Sequence, residues 1–131
     1  MSKEIKSTLD KALLTKSISK LQFDVYQLLL KIPRGKVTTY KIIAKFVKCN
    51  SFRAVGQVLK KNAFAPEVPC HRVIRSDLTL GGFTGNTSNK TVEIKFQILK
   101  SEGIEFDMSS DQFSQAKVKK QHVWEFNASE P

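Results

Sequence analysis

Between residues 33 and 69 helix-breaking residues recur so closely that only short helices can form, and this spacing limits the fold more than any bulk property of the chain. Pro33 ends a periodic stretch and Arg34-Gly35 turns the chain. Thr38 and Thr39 are placed to cap a helix running to about Val47, with Ile42, Ile43, Phe46 and Val47 inward. Cys49-Asn50-Ser51 interrupts it. Asn50 or Ser51 then caps a further helix, with Val55, Val58 and Leu59 on one face and Arg53, Gln57, Lys60 and Lys61 on the other. Pro66 and Pro69 exclude helix from the segment that follows. Two short helices across a tight polar turn, the second basic outside, make a helix-turn-helix candidate, although the helical hairpins of ordinary bundles share that pattern. Gly56 tips the balance a little toward a binding role. A glycine inside a helix costs up to about 1 kcal/mol relative to alanine, which suggests that something approaches the backbone closely there.

Around this centre the periodicity predicts a helix over residues 21–32, with Val25, Leu28, Leu29 and Ile32 in one stripe. Residues 1–20 carry a weaker period (Ile5, Leu9, Leu13) and read as a weakly ordered leader or short helix. Residues 63–75 read as extended, with Val73-Ile74 suited to a buried strand, and residues 76–89 as a glycine-bearing loop. A helix over about residues 90–102 follows, with Val92, Phe96 and Leu99 together and Gly103 as its C-terminal cap. The tail is expected to add a strand and to pin Trp124 to the core. At 131 residues, with 40% hydrophobic residues and nine Phe, the chain supports one cored domain and is not of disordered composition.

Charge narrows the partner. Lys and Arg number 22 against 12 Asp and Glu, a net +10. Residues 1–48 hold eleven bases and three acids, residues 49–75 five and one, and residues 76–131 six and eight. A cationic first half suits a polyanion, though a solvated basic face would look the same. No apolar run approaches the roughly 20 residues that span a bilayer, and no signal-peptide core follows Met1. Cys49 and Cys70 are therefore expected as thiols in a reducing compartment, the nucleus in a eukaryote or otherwise the cytoplasm. His71 and His122 add no zinc-type spacing, so no metal is expected.

Pro69-Cys70-His71-Arg72 carries the chemistry. An ordinary thiol, with a pKa of about 8.5, is only a few per cent ionised at neutral pH. A neighbouring imidazole that accepts its proton, directly or through water, makes it a nucleophile. Side chains adjacent in an extended strand point to opposite sides, so a turn or a bridging water is required. An acid must then orient the ring, and Glu67, Glu93, Glu102 and Glu105 all remain open on composition. Taken alone, the dipeptide is better explained by Cys70 as a small core residue and His71 as a satisfied core histidine.

The surroundings are more specific. Val37-Thr-Thr-Tyr40, Arg53-Ala-Val-Gly56, Asn62, Val68-Pro-Cys-His-Arg-Val-Ile74, Gly81-Gly-Phe-Thr84, Lys95 and Glu102-Gly103 follow in order. Together they resemble the catalytic, DNA-binding domain of the alkylguanine-DNA alkyltransferases, also called methylated-DNA–protein-cysteine S-methyltransferases. The resemblance spans about residues 21–107, with residues 1–20 a leader and 108–131 a tail. It implies a mainly α fold, a winged-helix-like helix-turn-helix domain with short strands near the active-site cysteine. It implies DNA repair without cofactor, by a monomer acting once on double-stranded DNA that holds alkylated guanine, with no membrane partner. Cys70 would be the acceptor, His71 the base working through water, Glu102 its anchor and Asn62 the brace of the active-site turn. Tyr40 would crowd the target phosphate and donate to the departing base. The carbonyls of Cys70 and Val73 would accept from the guanine amino group. Phe83, the Thr84 amide and Lys95 would complete the base site. Arg53 would fill the gap left by the flipped nucleotide, on a helix lying in the minor groove. Thr39, Ala54, Gly56, Gln57, Lys60, Lys61 and Arg72 would share the DNA-facing surface.

Departures from the family pattern mark what to examine. The separate N-terminal domain of many members is not seen here. Phe83 stands where Tyr is frequent, and residues 85–91 replace a shorter Gly-Gly-Leu turn, so the range of alkyl groups and the rate are open. The alternative function is a non-catalytic alkyltransferase-like protein that flags the lesion, although such proteins characteristically replace the acceptor cysteine. A sequence-specific regulator and a Cys-His hydrolase are more distant readings.

Overall fold

Ser19 and Gln22 start the helix on which the core is built. The Ser19 hydroxyl accepts from the Gln22 N–H at 3.1 Å, while the Ser19 N–H donates to Gln22 Oε1 at 2.8 Å, closing a capping box. The computed structural model describes residues 2–62, 64, 68–80, 89–108, 113–124 and 126. Within it α1 (Ser2–Leu14) precedes this capped helix, α2 (Lys20–Leu29). The leader is thus a 13-residue helix, and its Ile5 and Leu9 are buried in the same core as α2. α2 ends three residues short of the expected Ile32. Two tight turns close it, Lys31 N–H to Leu28 O and Ile32 N–H to Leu29 O, which lets Pro33 follow without a clash.

Strand β1 (Thr38–Thr39) leads into α3 (Tyr40–Phe46), and α4 (Phe52–Lys60) completes the helix-turn-helix. Of the residues placed to cap these helices, Thr39 and Ser51 do so, accepting from the N–H groups of Ile42 and Ala54 at 3.1 and 3.2 Å. Thr38 instead lies in the strand. Between the helices Lys48 adopts a left-handed φ of 58° and the Cys49 N–H reaches back to Ala44 O at 2.8 Å, a Schellman-type closure that usually employs glycine. The Tyr26 hydroxyl donates to Val58 O at 2.8 Å, tying α4 to α2 inside the core.

Strand β2 (Val73–Ile74) lies parallel to β1, pairing Thr38 with Val73 and Thr39 with Ile74. Because successive strand side chains face opposite sides, Val73 enters the cluster of α1 to α4 and Ile74 enters a second cluster. That second cluster gathers Val37, Leu80, Val92, Leu99, Ile104 and Val118 around Phe96, whose ring packs on Phe106 and Phe113 at 4.5 and 4.7 Å. Its helix is α5 (Asn89–Ser101). The last pair is antiparallel, β3 (Phe106–Asp107) with β4 (Lys117–Val118). Beyond β4 the tail returns to β1, where Val37 N–H donates to His122 O at 2.9 Å and Trp124 N–H to Val37 O at 2.6 Å. The architecture is mainly α, a helix-turn-helix domain whose short strands join two cores.

The Thr38 side chain is fully buried, and among the described residues its hydroxyl finds no partner. An unpaired buried hydroxyl carries a desolvation cost of about 1–3 kcal/mol, which valine of the same shape avoids. Thr38→Val is therefore expected to raise stability by about 1 kcal/mol in urea denaturation; a loss of stability would mean that the hydroxyl is satisfied.

Candidate active site

A 3-10 turn over Cys70–Arg72 resolves the difficulty of two adjacent residues having to cooperate. Three residues complete such a turn, so successive side chains diverge by about 120° rather than by the 180° of a strand. Pro69 precedes the turn and its carbonyl accepts from Arg72 N–H at 3.0 Å. Asn62 holds the entry: its Nδ2 donates to Val68 O and its Oδ1 accepts from Phe64 N–H, both at 2.9 Å. The same Val68 carbonyl accepts from Cys70 N–H at 2.9 Å. Cys70 is half-buried here, with a free thiol.

Behind it His71 is buried, and its Nε2 lies 2.9 Å from Glu102 Oε2. An ionised carboxylate only accepts, so Nε2 carries the proton and Nδ1 keeps its lone pair. Burial lowers the imidazole pKa below its ordinary value, and the bond to Glu102 only partly restores it, so the ring is a neutral base at neutral pH. The carboxyl responds oppositely. Burial alone would raise it, but the hydrogen bonds from Arg72 and His71 prevail and hold it low.

Glu102 owes its place to the end of α5. Gly103 N–H donates to Lys100 O and Ile104 N–H to Leu99 O, with Gly103 at a left-handed φ of 92°, a full Schellman motif that turns residue 102 inward. Of the other candidate acids, Glu105 stands beside His122, Glu93 is exposed on α5, and Glu67 lies outside the described residues.

Arg72, expected on the DNA-facing surface, is turned inward instead. Its Nε and Nη2 bind the two Glu102 oxygens at 3.0 Å each, and its Nη1 donates to Ile32 O at 2.9 Å. Those three bonds fix the turn to the ends of α2 and α5, and they had no signal in local sequence. Lys95 is buried against the site, its Nζ donating to Val73 O at 2.7 Å and Leu80 O at 2.6 Å. Burial pushes its pKa down to about 7, and negative charge on Cys70 would raise it. Tyr40 also lies within electrostatic reach of Cys70, and of Arg75, which residue-level reading did not single out. The parallel pairing of Thr39 with Ile74 brings residues 40 and 75 side by side. Burial raises the Tyr40 phenol above its ordinary range and keeps it a donor.

On α4 Arg53, Gln57 and Lys60 are exposed, as is Lys61 at its C-cap, while Ala54 and Gly56 on the helix are half-exposed. A Cβ at Gly56 would meet nothing within 4 Å, so no internal contact demands the glycine. Phe83 and Thr84 lie outside the described residues. Among the described residues no three metal-ligating side chains converge and no helix is long and apolar enough to cross a membrane. A groove of about 550 Å³ between α2 and α3, lined by Phe23, Leu28, Phe46 and Val47, contains none of the site residues.

A family model described as the DNA-binding domain of 6-O-methylguanine DNA methyltransferase matches residues 20–104. A methylated-DNA–protein-cysteine methyltransferase of Pyrobaculum aerophilum is 48% identical over 75 residues, 57% of this chain and 47% of that protein. Its counterpart from Candida glabrata is 48% identical over 71 residues, 53% of this chain and 34% of that protein. The chain thus spans about half or less of the length of these relatives. Among solved structures, S. pombe Atl1 in complex with damaged DNA containing O6-carboxymethylguanine superposes with a TM-score of 0.66 at 28% identity, covering 82% of this chain and 97% of that one. Mycobacterium tuberculosis OGT in complex with DNA gives a TM-score of 0.59 at 33% identity, covering 66% and 50%.

The pKa shifts of His71, Glu102 and Lys95 share a sign. All three lie lower in the folded chain than their ordinary 6.5, 4.5 and 10.5, so the unfolded chain binds more protons. Stability should therefore rise with pH from 7 to about 10.5 as Lys95 ceases to cost, fall as pH drops below 6.5, and fall again below 4.5. Urea titrations across pH check this. Glu102→Gln is expected to remove the lowest step and cost about 3 kcal/mol at pH 7.5, because Arg72 keeps a buried charge without its counter-ion.

Proposed function

This chain belongs to the family of the 6-O-methylguanine DNA methyltransferase DNA-binding domain, and we propose that it repairs DNA by moving the alkyl group of an O6-alkylguanine onto its own Cys70. The observation that carries this reading is a half-buried thiol in the same short turn as a neutral imidazole whose Nε2 is held by a clamped carboxylate. In the step, the Cys70 sulfur attacks the alkyl carbon, a sulfur–carbon bond forms and the carbon–O6 bond breaks. The thiol proton passes through a bridging water to His71 Nδ1, and Glu102 balances the imidazolium. The departing base recovers a proton from its surroundings and becomes ordinary guanine. Tyr40, kept protonated by burial, donates to the ring as negative charge builds on it.

Reaching that atom requires the nucleotide to leave the duplex, at a cost of a few kcal/mol. Arg53, exposed on α4, fills the vacated space, and phosphate contacts from the cationic first half of the chain offset the rest. Lys95 holds Val73 and Leu80 by their carbonyls and so shapes the wall that receives the base. A thioether is stable, so each molecule acts once. The setting is a reducing compartment, consistent with two free thiols.

A second reading, a lesion-binding protein without chemistry, draws support from the 97% coverage of S. pombe Atl1. Intact-protein mass separates the two. After incubation with an oligonucleotide containing methylated guanine, the transferase reading predicts a gain of one methylene per chain, absent in Cys70→Ala. Unchanged mass in a chain that binds the damaged duplex favours the second. The groove placement of α4 has its own check: Gly56→Ala should stabilise the fold by up to about 1 kcal/mol yet weaken DNA binding at least tenfold in fluorescence anisotropy. Unaltered affinity would remove α4 from the interface.

A further inference from the structure

Residues 113–124 lie beyond the family match at residues 20–104, yet they are stitched to the segment that leads into β1 and α3. Besides the two bonds to Val37, Lys36 Nζ donates to Gln121 O at 3.0 Å, and Lys119 N–H to Glu105 O at 3.0 Å. This docking carries Lys120 to a cleft of about 580 Å³, whose lining also includes Thr39, Lys41, Ser76, Leu78 and Val123. Thr39 and Lys41 flank Tyr40, so the cleft begins at the same helix start that lies near Cys70.

Its chemistry is that of an anion seat. Lys41 and Lys120 are both exposed, and neither forms an ion pair among the described residues. Thr39 and Ser76 add hydroxyls, while Leu78 and Val123 supply an apolar wall. No carboxylate is in the lining. The nearby Asp77 is turned onto its own loop, accepting from Thr79 N–H at 3.0 Å and Thr79 Oγ1 at 2.6 Å. The segment 76–131 is acidic in sum, so bulk charge hides this contribution.

We propose that the cleft seats a backbone phosphate of the DNA strand bearing the target nucleotide, and that the C-terminal segment supplies Lys120 as a contact from outside the matched domain. The inference rests on the DNA-binding reading above. Such a contact carries no sequence information; it fixes the duplex in register with Tyr40 and Cys70.

The test measures binding of the full chain to a short duplex containing one O6-methylguanine, by anisotropy, from 50 to 200 mM salt. Each lost phosphate contact should flatten the plot of log affinity against log salt by about 0.9. The double variant Lys41→Gln/Lys120→Gln, which empties the one phosphate seat, should thus lose about 3.5-fold less affinity over that range than the unaltered chain. Lys11→Gln, with an exposed lysine on α1, controls for net charge and should leave the slope unchanged. Circular dichroism melts of all variants should coincide, because the three side chains are exposed. An unchanged slope in the double variant overturns the proposal, as does an equal loss per charge in Lys11→Gln. If the unaltered chain fails to bind the duplex, the DNA-binding reading itself is what falls.

Discussion

The Glu102 carboxylate takes hydrogen bonds from both His71 and Arg72, and Arg72 reaches on to the carbonyl of Ile32, so three segments distant in sequence meet at one charged node. Charge-assisted bonds of this bidentate kind are directional as well as strong. They set the roll of the 3-10 turn, and with it where the Cys70 sulfur emerges. Without the Schellman end of α5 the carboxylate would face solvent, and without Arg72 the buried imidazole would have only a single, loosely held partner.

Much of this was legible in the sequence because it is local. The capped short helices, the apolar stripe of α2 and the glycine end of α5 all follow from residues within one or two turns of each other. The Cys-His dipeptide also announced a need for a turn, and the structure supplies one. Other features were not legible because they are long-range. Nothing near Arg72 says that its guanidinium will point inward, since its partners lie 30 and 40 residues away. The β1–β2 ladder is two residues long, too short for any alternating pattern, so Thr38 looked like a helix cap. The choice of Glu102 among four acids likewise depends on how α5 ends in space, which composition does not encode.

Stability and recognition pull in different directions on α4. Its inner residues Val55, Val58 and Leu59 are buried, whereas its outer face keeps a glycine that the fold does not require. That glycine costs up to about 1 kcal/mol relative to alanine, stability given up on the face that the proposed function turns to DNA. The left-handed Lys48 in the preceding turn is of the same kind, a conformation that a glycine would adopt more easily.

The pairing of the tail with β1 has a bearing on biosynthesis. Lys36 and Gln121 are 85 residues apart, so their segment of the sheet cannot close until nearly the whole domain has left the ribosome. Until then the nascent strand Val37–Thr39 offers an open edge to other chains. Contacts so distant also slow folding. A chain stalled before residue 122 would leave that edge open for as long as translation waits.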